Sequence, residues 1–195
     1  MSNYEFVVNE NAPHLGGNLW QGDPWTFAPR VWRYMIDRFA VNSVLDVGSG
    51  RGHAAHWFHR QNCCTIAIDA EERNVASALH PTVMHDITAA PFICPVDLTH
   101  CQEVVEHIPP QHLDNLMRTL CNGDTVIMSH GEPGQAGHSH VNCQPQEYWV
   151  EAMLERGFLL LEDDTIRIRK LAAGEAAHHL ARSGLVFGRR MARQV

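Results

Sequence analysis

The segment EVVEH, from Glu103 to His107, places two carboxylates and an imidazole at positions i, i+3 and i+4. If this segment forms a helical turn, the side chains of Glu103, Glu106 and His107 lie on one face. Such a face can hold a divalent cation, Mn²⁺ or Mg²⁺. We therefore predict a metal site at Glu103, Glu106 and His107. The alternative is that these side chains serve only the helix start and local hydrogen bonds.

Two histidines are candidates for handling a proton or orienting an acceptor. His130 directly follows Thr125 to Ser129, which has the composition of a buried strand. Ligands bind at the carboxyl ends of strands in parallel sheets, and an imidazole titrates near neutrality, as a general base requires. We predict His130 and His140 as catalytic residues. A loop histidine bonded to a backbone group is the alternative for His130.

Three other histidines, His53, His56 and His59, recur at every third position of a predicted helix. They have no carboxylate partner nearby in the sequence. A solvated or cofactor-flanking helix face is therefore the better interpretation than a metal site.

The stretch VLDVGSGRG, from Val44 to Gly52, contains a second pattern with chemical meaning. An apolar run that ends in three closely spaced glycines predicts a buried strand that turns sharply into a helix and leaves backbone N–H groups free for a ligand. His53 stands where a dinucleotide fingerprint has its last glycine, and no Lys-Ser/Thr pair follows to form a phosphate loop. Both departures disfavour a dinucleotide or phosphate-loop site, and with them a dehydrogenase.

Asp69 ends the next apolar segment, about 20 positions beyond the glycines. An acidic residue at the end of the strand after a glycine loop is well placed to accept hydrogen bonds from ribose hydroxyls. We therefore predict that Asp69 contacts the ribose of a nucleoside-containing cofactor.

VLDVGSGRG resembles the first motif of class I S-adenosylmethionine-dependent methyltransferases, in which the glycine loop passes under the methionine part of the cofactor. The segment around Asp97 and EVVEH resembles the fourth motif of that family. An Asp near the end of the third strand approaches the adenine amino group there, and Asp86, followed by Ile87, occupies that place; a turn-capping role is the alternative for Asp86. The resemblance thus implies S-adenosylmethionine as cofactor, bound by Asp46, Gly48, Ser49, Gly50, Gly52, Asp69, Asp86 and Ile87.

Two narrower resemblances bear on the acceptor. EVVEH, together with His138 or His140 of a later loop, is similar to the metal-binding set of small-RNA terminal 2′-O-methyltransferases. This resemblance implies that one of the two histidines adds a ligand to the metal site, and we include His140 in the predicted set. The segments GGNLWQGDPWTFAPRVW and PGQAGHSHVNCQPQEYW resemble small methyltransferases of bacteria, phages and large viruses, some associated with glycan assembly. This second resemblance implies O-methylation of a sugar hydroxyl in a glycan or glycoconjugate. The rival hypotheses are a nucleic-acid methyltransferase, acting on a ribose 2′-hydroxyl or a base, and a cofactor-binding protein without catalysis.

The elements that must position these residues alternate between strands and helices. We predict strands near residues 44–47, 63–68, 83–87, 96–99, 125–129, 158–161 and 185–187, with helices between most of them and one through residues 172–181. Such alternation predicts an α/β fold with a mostly parallel sheet covered by helices on both faces. The family resemblance makes this a Rossmann-like, seven-stranded sheet whose last strand, Leu185 to Phe187, is antiparallel.

Length, composition and charge limit the remaining possibilities. With 195 residues, 45% of them hydrophobic, the chain fits one domain spanning residues 1–195. A net charge of −7 without a dense Lys/Arg block makes nucleic acid an unlikely partner. No apolar run reaches the roughly 20 residues that a bilayer span needs, and six cysteines without a Cys-x-x-Cys pair fit a reducing compartment. We expect a cytoplasmic protein with a small-molecule or glycan acceptor.

Residues 1–28 are rich in Asn, Gly and Pro, yet they carry Trp20, Trp25 and Phe27. Aromatic side chains in a loop-like segment need a surface to cover. We predict an N-terminal arm that either packs over the core or closes as a lid over cofactor or substrate.

Overall fold

The computed structural model describes residues 5–12 and 14–190. Its strands are β1 (Phe6–Val8), β2 (Gly16–Leu19), β3 (Ser43–Val47), β4 (Cys64–Asp69), β5 (Thr82–Met84), β6 (Val96–Cys101), β7 (Gly123–Met128), β8 (Phe158–Leu160) and β9 (Leu185–Arg189). Its α-helices are α1 (Pro29–Phe39), α2 (His53–Arg60), α3 (Glu72–Ala76), α4 (Leu113–Leu120), α5 (Gln146–Leu154), α6 (Glu162–Ala173) and α7 (His178–Ser183). Short 3₁₀ helices cover Pro24–Thr26, Val105–His107 and Pro110–His112.

Seven strands form one sheet in the order β5-β4-β3-β6-β7-β9-β8. Strands β3 to β7 pair in parallel, whereas β9 lies antiparallel between β7 and β8. The predicted Rossmann-like sheet with an antiparallel last strand is therefore confirmed. The strand order reverses between β3 and β6, where Val47 pairs with Cys101. In open parallel sheets, ligands bind beyond the carboxyl ends of the strands at such a reversal.

The two faces of the sheet bury separate apolar clusters because neighbouring strand residues point to opposite sides. Leu45 of β3 packs with Leu116 and Met117 of α4 and with Trp149 of α5. The adjacent Val44 belongs to the second cluster, together with side chains of α1, α2, α6 and α7. Helices on both faces thus hold the carboxyl ends of the strands in fixed positions.

Three features differ from the sequence prediction. Residues 6–8 and 16–19 form an antiparallel hairpin in the arm, where we expected loop. The helix predicted through residues 172–181 is two helices, α6 and α7. Helix α6 begins at Glu162, directly after β8, with three acidic residues in its first turn. Such residues favour a helix N-terminus.

Within the described part of the chain, no helix has both the length and the apolar character required to cross a membrane.

Candidate active site

A cavity of about 790 Å³ opens at the carboxyl ends of β3, β4 and β6. Its floor is the segment after β3, and one wall is the N-terminal arm, which contributes Gly17, Asn18, Trp25 and Phe27 among others. The volume is within the range of cofactor and substrate pockets. The strand reversal and the cavity therefore coincide.

The glycine loop bends because its glycines adopt left-handed backbone angles, with φ of +63° at Gly48 and +54° at Gly50. A Cβ at Gly48 would collide with the side chain of Val104, whereas a Cβ at Gly50 would have no neighbour closer than 3.9 Å. Gly48 thus permits close packing of the loop on the segment after β6, and Gly50 leaves its backbone open to the cavity. Gly48, Ser49 and Gly50 all line the cavity.

Gly52 has a different role from the one we predicted. It does not line the cavity among the described residues. With φ of +73° it is the N-cap of α2, and its N–H donates to the carbonyl of Ser49 at 2.8 Å. Gly52 therefore shapes the turn that carries the loop into the helix.

Asp69 lies at the end of β4, buried against the glycine loop. Its carboxylate accepts hydrogen bonds from the backbone N–H groups of Gly50 (2.7 Å) and Glu71 (2.9 Å) and from the amide of Asn74 (3.2 Å). Burial raises the pKa of Asp69 to about 6, against these hydrogen bonds, which lower it. The same carboxylate lines the cavity. Asp69 therefore orders the glycine loop, and its predicted contact with ribose stays a prediction.

Asp86 and Ile87 also line the cavity, on the side of β5. One carboxylate oxygen of Asp86 accepts from the N–H and hydroxyl of Thr88 (2.8 and 2.7 Å), and the other lies 3.2 Å from Nε2 of His14. Burial alone raises the pKa of Asp86, but these hydrogen bonds outweigh it and hold the pKa below its usual value. The turn-capping role is thus present. The predicted adenine contact stays a prediction.

Asp46 lies beneath the loop in a buried polar chain. Its Oδ1 is 2.7 Å from Nδ1 of His100, and Nε2 of His100 is 3.2 Å from the indole nitrogen of Trp32. Because an indole N–H can only donate, Nε2 of His100 accepts and Nδ1 carries the proton that bonds to Asp46. The second oxygen of Asp46 accepts from the N–H of Ala55 in α2 at 3.1 Å. One carboxylate therefore ties β3, β6, α1 and α2 together under the cavity.

Glu106, His107 and His140 form a possible cation site on the opposite side of the cavity. One ligand atom from each lies within 4.8 Å of the other two. Glu106 is fully buried, and neither carboxylate oxygen has a hydrogen-bond partner among the residues that the structure describes. The same is true of Nδ1 of His107. Unpartnered buried oxygen and nitrogen atoms that converge in this way fit a divalent cation.

Burial shifts the pKa values of two groups in this cluster toward their uncharged forms. Burial raises the pKa of Glu106 well above its ordinary value, and the nearby Glu103 carboxylate raises it further. Burial also lowers the pKa of His107 to about 4, with the neighbouring His140 as the next cause. His107 is therefore a neutral imidazole at neutral pH, the form that coordinates metals. A bound cation would supply the positive charge that an ionised Glu106 lacks.

The prediction that Glu103 shares a helical face with Glu106 and His107 was wrong. Helical geometry covers only Val105–His107, and Glu103, with φ of +55°, lies outside that turn. Its carboxylate accepts from the hydroxyl of Ser129 (2.8 Å) and lies 2.9 Å from Nδ1 of His179. Glu103 faces the cavity and lies near Glu106, but it is not one of the three residues whose ligand atoms converge.

His130 is also not where we predicted. It is 3% exposed, its ring lies near that of Trp149, and its Nδ1 is 3.3 Å from the carbonyl of Gly131. It does not belong to the described lining of the cavity. The backbone-bonded alternative describes this residue better than a general base.

Of the other histidines singled out in the sequence, His53, His138 and His140 line the cavity, whereas His56 and His59 are exposed on α2. This agrees with a helix that flanks a cofactor rather than binds a metal through all three of its histidines.

Sequence reasoning missed two residues of the site. Nε2 of His179 lies 3.1 Å from Asp23 in the arm, and hydrogen bonds to Asp23 and Glu103 outweigh burial and raise the pKa of His179 to about 9. Gln102 lines the cavity next to Glu103, and neither polar atom of its amide has a partner in the described structure. The position of Gln102 before EVVEH was a usable signal. For His179 there was none, since only the fold brings it to Glu103.

The fold is shared with structures of known methyltransferases. A SAM-dependent methyltransferase from Archaeoglobus fulgidus superimposes with a TM-score of 0.58 at 17% identity, covering 86% of this chain and 94% of that one. Magnesium protoporphyrin IX methyltransferase from Synechocystis, with bound SAH, gives 0.57 at 14% identity over 82% and 80%. The StiE O-MT gives 0.54 at 14% identity over 84% and 75%. At these identities the likeness concerns the fold.

The sequence itself shows the family. Residues 25–152, more than half of the chain, match the family described as Methyltransferase domain. The chain therefore belongs to this methyltransferase family and is an S-adenosylmethionine-dependent enzyme. No curated protein matches the sequence significantly.

Proposed function

We propose that this enzyme transfers the methyl group of S-adenosylmethionine to a hydroxyl of an uncharged sugar in a glycan or glycoconjugate, with the help of a divalent cation. The observation that carries the proposal is the meeting, in one cavity, of the glycine loop with His107 and His140 of the possible cation site. A hydroxyl is a weak acid, and a cation beside it lowers its pKa when bound.

The cofactor half of the cavity suits S-adenosylmethionine. Gly50 presents open backbone, Asp69 lies at the end of β4 as a ribose acceptor, and Ile87 offers an apolar wall for adenine. Ser49 Oγ and His53 Nε2 are buried without partners among the described residues. A ligand with several polar groups would satisfy them.

The ligand set of the possible cation site favours Mn²⁺ over Mg²⁺. Mg²⁺ prefers oxygen ligands, whereas one carboxylate and two imidazoles suit a first-row transition metal. Nδ1 of His140 lies 3.3 Å from the carbonyl of Gln135, which can orient the ring. A Cβ at Gly137 would collide with the ring of His140, so this glycine also fixes its position.

The charge of the cavity supports an uncharged acceptor. Among the described residues, seven carboxylates line it, against one guanidinium, Arg51, and the protonated imidazole of His179. The seven are Asp23, Asp46, Asp69, Glu71, Asp86, Glu103 and Glu175. Such a wall repels the phosphates of nucleic acids and of sugar phosphates. Trp25, which is 53% exposed at the cavity, offers an aromatic face of the kind on which sugar rings pack.

The test combines calorimetric titration of S-adenosylhomocysteine with transfer of labelled methyl to mono- and disaccharides, each with and without Mn²⁺. We expect micromolar binding and Mn²⁺-dependent transfer to a neutral sugar. Glu106→Gln should abolish the response to Mn²⁺ and leave S-adenosylhomocysteine binding intact. Transfer that does not depend on metal would contradict the cation site alone, whereas absence of binding would contradict the cofactor assignment.

Glu132→Gln is the matched control for the Glu106 variant, because Glu132 is exposed and pairs with Arg182 at 2.8 Å, outside the cavity lining. Its response to Mn²⁺ should equal that of the unchanged enzyme.

A further inference from the structure

The N-terminal arm is attached along the cofactor side of the cavity by several contacts. Trp20 lies between the guanidinium groups of Arg51 and Arg73, 4.9 and 4.0 Å from its ring centre. Asn18 and Asn74 exchange hydrogen bonds of 3.1 Å between their side-chain amides. Arg73 also pairs with Glu5 at 2.6 Å. These contacts anchor the hairpin of the arm to α3 and to the start of α2.

On the other side of the cavity, polar attachment of the arm depends on Asp23. Its Oδ2 lies 3.1 Å from Nε2 of His179 in α7, and Nδ1 of His179 lies 2.9 Å from Glu103. Glu103 is held in turn by the hydroxyl of Ser129 at 2.8 Å. The arm is thus connected through one imidazole to the segment that follows β6.

In this series of hydrogen bonds, His179 donates from both ring nitrogens, since both of its partners are carboxylates. The three side chains are 18–23% exposed, so solvent screens their attraction less than it screens a surface ion pair. Trp25 of the arm packs against the same helix, with its ring 5.8 Å from that of His178 and 6.3 Å from that of His179.

We propose that Asp23, His179 and Glu103 form a latch that holds the arm closed across the cavity, with His179 as the positioning residue. When the latch opens, the arm remains anchored on the cofactor side and the wall carrying Trp25 moves away from α7. This inference rests on the proposed function only where it concerns cofactor release. The latch itself is a property of the chain without ligand.

Limited proteolysis can test the latch because the arm contains no Lys or Arg before Arg30 but does contain Trp20, Trp25 and Phe27. Chymotrypsin therefore reports opening of the arm, and trypsin reports opening of the rest of the molecule. The variants are Asp23→Asn and His179→Asn. In His179→Asn, the amide of the new asparagine can replace Nδ1 in the bond to Glu103 but does not reach Asp23. His179→Gln places its amide near Nε2 and restores the bond to Asp23. His56→Asn, at an exposed position of α2 outside the described cavity lining, is the matched control.

We expect chymotrypsin to cut within residues 20–27 about tenfold faster in Asp23→Asn and His179→Asn, because each variant loses one charge-assisted hydrogen bond that holds the arm closed. His179→Gln and His56→Asn should stay near the rate of the unchanged protein, and trypsin rates should not change. Equal chymotrypsin rates in His179→Asn and His56→Asn would overturn the latch. A parallel rise with trypsin would also overturn it, because His179 would then support the whole fold.

The dissociation rate of S-adenosylhomocysteine gives the functional readout. The dissociation rate should rise in Asp23→Asn and His179→Asn, in proportion to the rate of chymotrypsin cleavage. An unchanged dissociation rate would contradict the inference that the latch controls cofactor release. If S-adenosylhomocysteine fails to bind even the unchanged protein, the proposed function fails, while the cleavage rates still decide whether the latch exists.

Discussion

Gly48 occupies a position where both backbone angle and space exclude a side chain. Its φ is +63°, and a Cβ would collide with Val104. Gly48→Ala should therefore weaken S-adenosylhomocysteine binding at least tenfold and lower the free energy of unfolding by about 2–4 kcal/mol, measured by calorimetry and urea unfolding.

Gly157→Ala separates the two causes. Gly157 has φ of +80° but nothing within 4 Å of the added Cβ, so the variant carries the backbone cost of about 1 kcal/mol without the collision. Equal losses in the two variants would show that the packing of Gly48 on Val104 is unimportant.

Asp69 and Asp86 should give opposite pH dependence. The pKa of Asp69 is raised to about 6 in the folded protein, so the folded state binds more protons than the unfolded state between the two pKa values, and stability falls as pH rises through this range. Asp86 has a lowered pKa, so its contribution is present above the unfolded pKa and is lost as pH falls.

We expect Asp69→Asn to remove about 2 kcal/mol of this pH-dependent loss between about pH 4.5 and about pH 7. Asp86→Asn should remove a change of the opposite sign, which lies below about pH 5 because the pKa of Asp86 is lowered from an unfolded value of about 3.9. Urea unfolding of Asp69→Asn between about pH 4.5 and about pH 7, and of Asp86→Asn between about pH 5 and about pH 3, is the measurement, and changes of the same sign would contradict the assigned shifts.

At the residue scale, the sequence predicted the positions of residues along the strands better than those of residues in the loops. Asp46 lies in β3, Gly48 follows β3 directly and Asp69 ends β4, so their positions follow from pattern alone. Glu103 was misplaced because a left-handed backbone angle at a glutamate has no sequence signal. His179 was missed because its partners, Asp23 and Glu103, are far from it in the chain.

Among the elements, β3, β6, α1 and α2 meet at the buried chain of Asp46, His100 and Trp32. His100→Leu would leave a carboxylate oxygen and an indole N–H without partners in the core. The free energy of unfolding should fall by about 2–4 kcal/mol.

His80→Leu is the comparison for this variant, because buried His80 makes one bond, of 3.0 Å, to the carbonyl of Thr65. We expect a loss of about 1 kcal/mol there. If urea unfolding gives the same loss at both positions, the chain under the cavity adds nothing beyond ordinary burial.

Strand and helix positions were predictable where period and turn residues agreed, as in β3, α2 and β7. The hairpin of the arm was not predictable, because its strands are short and are stabilised by contacts with α3 rather than by an apolar alternation of their own. The start of α6 at Glu162 had a signal in its three acidic residues. The apolar run Phe158 to Leu161 predicted a strand, and we expected the next helix only near residue 172.

For the molecule as a whole, the net charge of −7 and the acidic cavity act in the same direction. A neutral glycoside should be methylated at least tenfold more efficiently, in kcat/KM, than the same glycoside carrying a phosphate near the acceptor hydroxyl. Added salt should reduce the difference by screening. Equal efficiencies would contradict selection by charge and would favour the nucleic-acid hypothesis.

The position of β9 between β7 and β8 has a consequence for synthesis. Strands β7 and β8, which contain Met128 and Leu160, do not pair with each other; β9 (Leu185–Arg189) lies between them and pairs with both. While a ribosome makes the chain, β7 therefore exposes an unpaired edge and β8 has no neighbour until that late segment emerges. The sheet cannot be completed piece by piece from the N-terminus. A nascent chain stalled before Leu185 should need a chaperone to shield that edge, whereas one released after Arg189 should close the sheet by itself.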